Sequence, residues 1–483
     1  MTPAPRILMA ASEMTPFAAT GGLGDVLGAL PPALAAIGVQ IHVVLPAYRT
    51  PAITAAGGAV HTTLVVPHGD RLREAGLRTL RHRDVAVSFV VADEHFDRQG
   101  LYGDHSGDFR DNAARFTFFA HAVAALVARL DPPPDVVHCH DWQSALVPAL
   151  LRTAADPRLA RIPTAFTIHN LGYQGVFPAD VWPLTGLDRR WFTSSHLEFH
   201  GQVNLMKAGL TFADALTTVS PRYAQEIQTP EHGHGLDGVL RERRGVLRGI
   251  LNGIDDRRWN PAHDPHIAAA YSAADLAGKA ACKAALQRAF GLPENPHVPV
   301  VGMVTRLAEQ KGLDILMDAL PALLGLDLQL AILGSGDSRY ERGLGEAAGR
   351  DPSRLAVRFA FDEALSHQVE AGADVFLMPS RYEPCGLNQM YSLRYGTVPV
   401  VRATGGLDDT IDDVDATPER GTGFKFAEYS PDALAGAVHR ALAVYADRAR
   451  WERVMREGMR RDHSWRRAAG SYLELYRGLR PAG

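Results

Sequence analysis

The chain has 483 residues, more than a single hydrophobic core usually serves, so its length predicts at least two domains. Hydrophobic residues make up 46% and charged residues 22% of the composition, as in an ordinary globular protein. Lysine and arginine (50) nearly balance aspartate and glutamate (54), and the net charge of −4 excludes the fold-wide basic field of a nucleic-acid-binding protein.

The three cysteines, Cys139, Cys282 and Cys385, are odd in number, and none belongs to a C-x-x-C pair. Such usage argues against a disulfide framework and against a zinc site, and it is typical of a cytoplasmic protein. No uninterrupted run of about 18 apolar residues occurs, so no membrane span is expected. The N-terminus lacks a long apolar region with a small-residue cleavage site, so no signal peptide is expected either.

Short apolar runs alternate with helical patterns along nearly the whole chain. The runs rich in valine, isoleucine and leucine predict buried parallel strands at 6–11, 41–45, 85–91, 136–138, 164–168, 215–219, 300–304, 328–333, 375–378 and 398–401. Between the first two, apolar residues at helical spacing predict a helix over 25–37 that ends before Gly38. The repeated strand–helix–strand order is typical of an α/β protein with doubly wound sheets.

The predicted elements form two sets, one on each side of Asn252. Residues 1–251 are therefore predicted to form an N-terminal Rossmann-like domain, and residues 252–464 a C-terminal Rossmann-like domain. An aromatic-rich helix within 465–483 follows and is expected to cross back to the first domain. Because doubly wound sheets bind ligands beyond the carboxyl ends of their strands, the candidate site residues are those that follow each strand.

A glycine-rich turn follows the first strand and contains Thr20, Gly21, Gly22 and Asp25. Glycines before a helix let backbone amides approach an anion, and the helix dipole favours negative charge there. The spacing matches neither the P-loop nor G-x-G-x-x-G. An ordinary turn between strand and helix explains this segment equally well.

Two cations, Arg306 and Lys311, follow the strand at 300–304 and lie where the next helix begins. The start of a helix is already positive, so two cations there are unfavourable unless an anion lies between them. This arrangement indicates a di- or triphosphate-like ligand, which arginine can bind bidentately. A solvated basic turn is the alternative.

Two further turns of the second domain suit a sugar nucleotide. Glu383 follows the strand at 375–378, and its carboxylate can accept several hydrogen bonds from sugar hydroxyls. Thr404, Gly405 and Gly406 follow the next strand, and their amides can meet phosphate or sugar oxygens. A plain helix cap would explain either turn alone, but several such turns at the strand ends of one domain favour a binding site.

The histidines and paired aspartates do not indicate a metal site. His138 and His140 are only two residues apart, so the other ligands of a metal would have to come from elsewhere in the chain. Asp141 and His169 are interpreted instead as polar groups that line a sugar pocket. Asp413 has the D-x-D spacing of metal-dependent transferases, but it lies in an acidic surface run. No metal and no cofactor is therefore predicted, because Arg306 and Lys311 can neutralise a diphosphate.

Together these motifs resemble those of the glycogen and starch synthase family. Residues 12–26 are similar to the family pattern S-E-x-x-P-x-x-K-T-G-G-L-x-D-V. The other similar motifs, in matching order and spacing, are Leu101-Tyr102-Gly103, Asp111-Asn112, Arg115-Phe116, His140-Asp141-Trp142, Thr167-Ile168-His169-Asn170, Leu251-Asn252-Gly253-Ile254-Asp255, Arg306 with Lys311, Glu383-Pro384-Cys385-Gly386-Leu387 and Thr404-Gly405-Gly406-Leu407. The resemblance extends from about residue 6 to about residue 477.

The resemblance implies the GT-B architecture, in which two doubly wound Rossmann-like domains face each other across a deep cleft. It implies a retaining transferase that moves glucose from ADP-glucose to the non-reducing end of an α-1,4-glucan such as glycogen, without a metal or other cofactor. The expected partners are thus ADP-glucose and the glucan, with no nucleic acid and no membrane. Whether the chain forms a homo-oligomer stays open.

The resemblance also implies roles for single residues. Arg306 and Lys311 would hold the distal phosphates of the donor, Glu383 would bind glucose hydroxyls, and His169 and Asp141 would lie against the glucose. These five are the predicted catalytic residues. The predicted substrate-binding residues are Thr20, Gly21, Gly22, Asp25, Asn252, Phe361, Cys385, Gly386, Leu387, Thr404, Gly405 and Gly406. Phe361 matches a position where the family often stacks a tyrosine on adenine, and a phenylalanine ring can stack equally.

Three positions depart from related patterns. Ala19 replaces the family lysine before Thr-Gly-Gly-Leu, so one positive contact is missing and weaker donor binding is expected. Gln143 replaces a common histidine, with a small expected effect. Tyr391 stands where many related sugar transferases have a second glutamate for ribose, which fits the glycogen synthase branch.

Three other functions are weighed against this interpretation. A glycoside hydrolase needs two carboxylates, but it does not need the phosphate-binding cations. A non-catalytic glucan-binding protein would not retain Arg306, Lys311 and Glu383 together. A transferase with a different acceptor remains open, as does the choice between ADP-glucose and UDP-glucose.

Overall fold

The computed structural model describes residues 4–104 and 107–479 and divides the chain into two compact units. The first unit extends to Gly253 and resumes at Trp465, and the second extends from Ile254 to Ser464. The chain thus passes from the first unit to the second between Gly253 and Ile254, one residue beyond Asn252.

The strands of the first unit are β1 (Arg6–Ala10), β2 (Gln40–Pro46), β3 (Thr62–His68), β4 (Arg71–His82), β5 (Val85–Val91), β6 (Gly103–Asp104), β7 (Gly107–Asp108), β8 (Val136–His140), β9 (Thr164–Ile168), β10 (Val176–Phe177), β11 (Glu198–Phe199), β12 (Gln202–Asn204), β13 (Ala215–Thr218) and β14 (Leu247–Gly249). Nine of these described strands form one sheet, in the order β14-β13-β9-β8-β1-β2-β5-β4-β3. β10, β12 and β11 form a small second sheet.

The main sheet of the first unit is mixed, because it is parallel except for one hairpin at its edge. From β14 to β5 neighbouring strands are parallel, but β4 pairs antiparallel with both β5 and β3. Neither β3 nor β4 was predicted. The charged residues of β4 lie largely exposed, and only Ala75 and Leu77 are buried. An antiparallel hairpin can leave one face in water, so it lacks the continuous apolar run of a strand covered on both faces.

The helices of the first unit up to its boundary are α1 (Gly22–Ala36), α2 (Pro51–Ala55), α3 (Asp93–Phe96), α4 (Asn112–Arg129), α5 (Leu146–Arg152), α6 (Pro157–Ala160), α7 (Leu205–Phe212), α8 (Pro221–Glu226) and α9 (Asp237–Glu242), with 3₁₀ segments at Ala179–Thr185 and Arg189–Trp191. α1 begins earlier than the predicted residue 25, because extended Gly21 already serves as its N-cap. Gly22 therefore lies in the first turn of the helix, and not in the preceding loop.

The second unit contains β15 (Val300–Val304), β16 (Gln329–Leu333), β17 (Leu355–Arg358), β18 (Val375–Met378), β19 (Val398–Arg402) and β20 (Phe424–Phe426). These strands form a parallel sheet in the order β17-β16-β15-β18-β19-β20. This is the 3-2-1-4-5-6 order of a Rossmann fold. Val301 and Met303 join an apolar cluster on one face of the sheet, and Val300 joins another on the opposite face.

The helices of the second unit are α10 (Ala277–Phe290), α11 (Leu313–Leu324), α12 (Ser338–Arg350), α13 (Glu363–Gly372), α14 (Asn388–Arg394), α15 (Gly405–Thr410), α16 (Pro431–Tyr445) and α17 (Arg448–Arg460), with a 3₁₀ segment at Glu309–Lys311. The last helix, α18 (Trp465–Leu479), belongs to the first unit. Its buried Tyr476 hydroxyl lies 2.7 Å from Nδ1 of His138 in β8. Among the described helices, none is both long and apolar enough to cross a membrane.

Candidate active site

The second unit has a topological switch point between β15 and β18. The chain runs from β15 through β16 to β17 on one side of the sheet and then returns to β18 on the other. Such a reversal leaves a crevice beyond the carboxyl ends of the two central strands, where doubly wound folds bind ligands. Arg306 follows β15, and Glu383 follows β18, so the sheet order brings these two predicted residues to one crevice.

Lys311 and Glu383 form an ion pair in this crevice. Nζ of Lys311 lies 2.6 Å from Oε2 of Glu383, and the Ser380 hydroxyl donates to the same oxygen at 3.0 Å. Gly312 lets the two loops pack closely, because its φ is +76° and an added Cβ would lie 2.1 Å from the Pro379 carbonyl oxygen. Ser380, which the sequence analysis did not single out, therefore helps to orient the carboxylate.

Arg306 differs from Lys311 in its surroundings. Its side chain is exposed, and among the described residues no hydrogen bond or ion pair to its guanidinium is found. A cation with no protein partner gains more from an arriving anion than one that is already paired. The loop after β15 therefore carries one paired and one unpaired cation.

The glycines after β19 support the loop that holds Glu383. Gly405 has a φ of +45°, and an added Cβ would lie 1.9 Å from the Glu383 carbonyl oxygen. A Cβ on Gly406 would lie 2.1 Å from the Cys385 carbonyl oxygen. The Gly406 amide donates to the backbone carbonyl oxygen of Glu383 at 3.1 Å. The sequence predicted that amides of this turn meet a ligand. The Gly406 amide donates to backbone carbonyls of the protein, and Thr404 is the N-cap of α15.

The remaining predicted residues of the second unit occupy two places. Cys385 is buried, Gly386 has a φ of +71°, and Leu387 is the N-cap of α14, so these three form the turn that follows Glu383. Phe361 lies apart from them, after β17, with its side chain 97% exposed. An apolar ring so exposed is costly in water and suits a surface on which a planar group stacks.

The first unit has its own switch point between β1 and β8, which lie side by side at the centre of its sheet. Glu13 follows β1 and is buried. Its carboxylate accepts hydrogen bonds from the Thr20 amide at 2.6 Å, the Thr20 hydroxyl at 2.8 Å and the Tyr102 hydroxyl at 2.7 Å. Glu13 and Tyr102 belong to motifs of the resembled family, but the sequence alone indicated no role for either. The structure shows that Glu13 fixes the glycine-rich turn.

Gly21 and Gly22 lie exposed at the start of α1, and Asp25 lies exposed in its first turn. An added Cβ on either glycine would meet no atom of the described chain within 4 Å. Packing within the chain therefore does not require glycine at these positions. Open space at a helix N-terminus lets a ligand approach the backbone amides closely.

Asp141 follows β8 in a left-handed conformation, with a φ of +55°. Its Oδ1 accepts a hydrogen bond from the His169 amide at 2.7 Å. The pKa of Asp141 is raised to about 7, mainly because of burial, with the amides of His169 and Asn170 opposing the rise and the negative charge of Glu13 adding to it. The carboxyl group therefore changes its charge near neutral pH.

We expect Asp141→Asn to remove a pH dependence of stability. The folded-state pKa of about 7 exceeds the ordinary 3.8, so the folded chain holds one more proton than the unfolded chain between those pH values. The contribution of Asp141 to stability is therefore present at low pH and is lost as pH rises towards 7. Asparagine tolerates the left-handed conformation and keeps the acceptor oxygen.

The measurement is the difference in unfolding midpoint between wild type and Asp141→Asn at several pH values from 4.5 to 8.5, chosen to bracket the pKa of about 7. The unfolding midpoint of the wild type, relative to that of the variant, should fall as pH rises to about 7 and should stay constant above that pH. Parallel curves over the whole range would contradict the shifted pKa. Other buried groups cancel in the difference because both proteins contain them.

Three histidines lie close together in the first unit, of which His138 and His140 are buried and His169 is half-buried. Both His138 and His140 lie within β8, which extends two residues beyond the predicted strand end at residue 138. Nδ1 of His140 lies 3.0 Å from Nε2 of His169. Burial lowers the pKa of His138 and His169 to about 3, and that of His140 also falls well below 6.5, so all three are neutral at physiological pH.

Among the described residues, the buried acceptors Oδ1 of Asn252 and Oε1 of Gln143 have no hydrogen-bond partner. Buried acceptors usually find a donor, so atoms left without one mark places where a ligand or water supplies it. Within the described part of the chain no group of three or more metal-binding side chains occurs. Asp413 accepts from the Lys425 amide at 2.7 Å, so the D-x-D segment serves the fold.

The comparisons with known proteins agree with this architecture. The starch synthase catalytic domain model matches residues 6–242, and the glycosyl transferases group 1 model matches residues 287–457. The solved catalytic domain of starch synthase IV from Arabidopsis thaliana, bound to ADP and acarbose, superposes with a TM-score of 0.90 at 33% identity and covers 100% of both chains. The chain is therefore a glycosyltransferase with the GT-B architecture of two Rossmann-like domains.

Curated relatives show which family of glycosyltransferases the chain belongs to. A glycogen synthase from Anaeromyxobacter dehalogenans is 54% identical over 481 residues, which are 99% of each chain. A glycogen synthase from Koribacter versatilis is 50% identical over 473 residues, which are 97% of each chain. The protein belongs to the glycogen synthase family.

Proposed function

We propose that this protein transfers glucose from ADP-glucose to the non-reducing end of an α-1,4-glucan, with retention of the anomeric configuration, in the cytoplasm. The observation that carries the proposal is the Lys311–Glu383 ion pair at the switch point, with unpaired Arg306 in the same loop as Lys311. A cationic group for a diphosphate and a carboxylate for sugar hydroxyls thus lie side by side. The related starch synthase IV structure holds ADP, which supports a nucleoside diphosphate leaving group.

The second unit would hold the nucleotide part of the donor. Arg306 binds phosphate oxygens with its planar guanidinium, and Lys311 binds them as a point charge. Phe361 offers its exposed ring to adenine. Glu383 keeps Oε1 for a glucose hydroxyl, because its contacts to Lys311 and Ser380 both use Oε2.

Residues of the first unit would contact the transferred glucose. Asp141 and His169 follow neighbouring parallel strands and are joined by a hydrogen bond. Asn252 contributes an oxygen that has no partner among residues 4–104 and 107–479. The neutral state of His169 matters, because a cation would repel the positive charge that develops on the sugar ring in an oxocarbenium-like transition state.

The reaction needs no nucleophile from the protein. The bond from the anomeric carbon to the diphosphate breaks, and negative charge builds on the departing oxygen, where Arg306 and Lys311 stabilise it. The incoming 4-hydroxyl attacks from the same face and passes its proton to the departing phosphate. The new glycosidic bond therefore keeps the configuration of the old one, and the products are ADP and a glucan longer by one residue.

Alanine substitutions at Gly21 and Gly406 distinguish a glycine that contacts the substrate from a glycine that is needed for packing within the protein. We expect Gly21→Ala to keep the wild-type melting temperature but to lower kcat/KM at least about tenfold, because its Cβ meets only the space left for the substrate. Gly406→Ala should lower both, because its Cβ would collide with the Cys385 carbonyl oxygen and displace the Glu383 turn. Thermal unfolding and steady-state kinetics measure both effects. Wild-type activity in Gly21→Ala would contradict a substrate at this turn.

The function itself is tested by glucose incorporation into glycogen, with ADP-glucose and UDP-glucose side by side. The proposal predicts incorporation with ADP-glucose and one ADP released for each glucose transferred. Release of free glucose without polymer growth would indicate a hydrolase. Incorporation only with UDP-glucose, or only into small acceptors, would overturn the assignment of donor or acceptor.

A further inference from the structure

Trp259 lies between two aromatic side chains of the second unit, and the proposed function gives it no role. Its indole ring stacks on His367, with ring centroids 3.8 Å apart and planes 6° apart. Its other face stacks on Tyr391, again at 3.8 Å, with planes 9° apart. Only 9% of Trp259 is exposed. A flat ring held on both faces fixes the separation of the two side chains that enclose it.

The two enclosing side chains belong to helices that begin at the candidate donor site. His367 lies in α13, which begins two residues after Phe361. Tyr391 lies in α14, which begins directly after Leu387, the end of the turn that contains Glu383. The side chain of Asn388, the first residue of α14, donates to the Val304 carbonyl at 2.9 Å. The stack therefore joins the helix behind the base-stacking residue to the helix behind the sugar-binding turn.

Further contacts fasten the same stretch of chain, residues 255–264, which we call the connector. Arg258 forms an ion pair with Glu363 at 2.5 Å, at the start of α13. Buried Asp264 hydrogen-bonds Nδ1 of His367 at 2.7 Å and the Tyr395 hydroxyl, next to the end of α14, at 2.5 Å. The connector thus contacts both helices through its charged groups as well as through Trp259.

We propose that Trp259 is a positioning residue for the sugar nucleotide. It sets the separation of α13 and α14, and thereby the distance from the Phe361 ring to the turn that contains Glu383. A rigid ligand that spans base, diphosphate and sugar needs these two places at a fixed distance, and small displacements cost affinity. The inference rests on the proposed function for the roles of Phe361 and Glu383.

The test compares Trp259→Leu with Trp259→Phe and with a matched control, Trp451→Leu. Trp451 is fully buried in the second unit, but its ring packs edge-to-face on Tyr445 and takes no part in the Trp259 stack. ADP affinity is measured by calorimetry on the full chain, together with the melting temperature and the KM values for ADP-glucose and glycogen.

We expect Trp259→Leu to raise the Kd for ADP and the KM for ADP-glucose about tenfold, with the KM for glycogen unchanged. Trp259→Phe should recover most of the affinity, because a flat ring still fills the gap. Trp451→Leu should lower the melting temperature at least as much but leave ADP affinity within about twofold of wild type, since its effect is on core packing alone.

The inference is overturned if Trp259→Leu binds ADP as the wild type does, or if Trp451→Leu loses the same affinity. If Trp259→Leu does not fold, the ADP affinities of Tyr391→Leu and Tyr391→Phe are compared instead, which tests one face of the stack. Because the experiment measures ADP binding, its result does not depend on whether the protein makes glucan. A wild type that binds ADP but makes no glucan refutes the proposed function alone, and one that does not bind ADP refutes both.

Discussion

Arg306→Ala should lower kcat/KM by about 30- to 1,000-fold, equivalent to about 2–4 kcal/mol of transition-state stabilisation, without lowering the melting temperature. The guanidinium is exposed and, within the described ranges, has no protein partner, so its removal costs the fold little. Its benefit would arise only when negative charge builds on the departing diphosphate. Lys311→Ala should lose a similar factor, but it should also lower the melting temperature. The buried Glu383 would then keep its charge without a counter-ion.

Steady-state kinetics and thermal unfolding of both variants test this contrast. Arg350→Ala is the matched control, because Arg350 is an exposed arginine at the end of α12, outside the candidate site. It should match the wild type in both measurements. Near-wild-type kcat in Arg306→Ala and Lys311→Ala would refute their role at the phosphates. A fall in melting temperature for Arg306→Ala would show that the guanidinium serves the fold instead.

Glu383→Gln should lower kcat about 100-fold while ADP binds as tightly as in the wild type or more tightly. The amide keeps the size of the side chain but not its charge. It therefore accepts weaker hydrogen bonds from a glucose hydroxyl. Lys311 would lose its ion-pair partner at 2.6 Å and become available to the diphosphate. Catalysis and nucleotide affinity are thus predicted to change independently or in opposite directions, which general damage to the site would not produce.

Calorimetry with ADP and turnover with ADP-glucose measure the two quantities for Glu383→Gln. Glu346→Gln, on exposed α12, is the control and should change neither. An unchanged kcat would remove Glu383 from the catalytic group. A parallel loss of ADP affinity would mean that Glu383 acts by supporting the loop, through the Gly405 and Gly406 contacts, and not by binding sugar.

The parallel part of the fold was predictable, because strands covered on both faces are almost continuously apolar. Val85–Val91 and Thr164–Ile168 were predicted with their observed bounds for this reason. The hairpin of β3 and β4 was missed because its edge position allows arginines and exposed apolar residues such as Leu72. Its pairing depends on neighbours in the sheet, and local sequence does not contain that information.

The sequence predicted which loops form the candidate site, but it did not predict which side chains in those loops contact one another. Strand ends in one sheet indicate that Lys311 and Glu383 are near each other, yet their ion pair joins residues 72 positions apart. The Gly405 and Gly406 turn was predicted as a ligand contact, whereas the close approach of the Glu383 and Cys385 carbonyl oxygens explains those glycines equally. The Trp259 stack depends on two helices whose separation only the folded unit defines.

The most direct test of the account is a structure of the protein with bound ADP-glucose. The account predicts diphosphate oxygens within about 3 Å of both the Arg306 guanidinium and Lys311 Nζ, with a glucose hydroxyl on Glu383. A well-ordered donor whose phosphates lie away from both cations would contradict it.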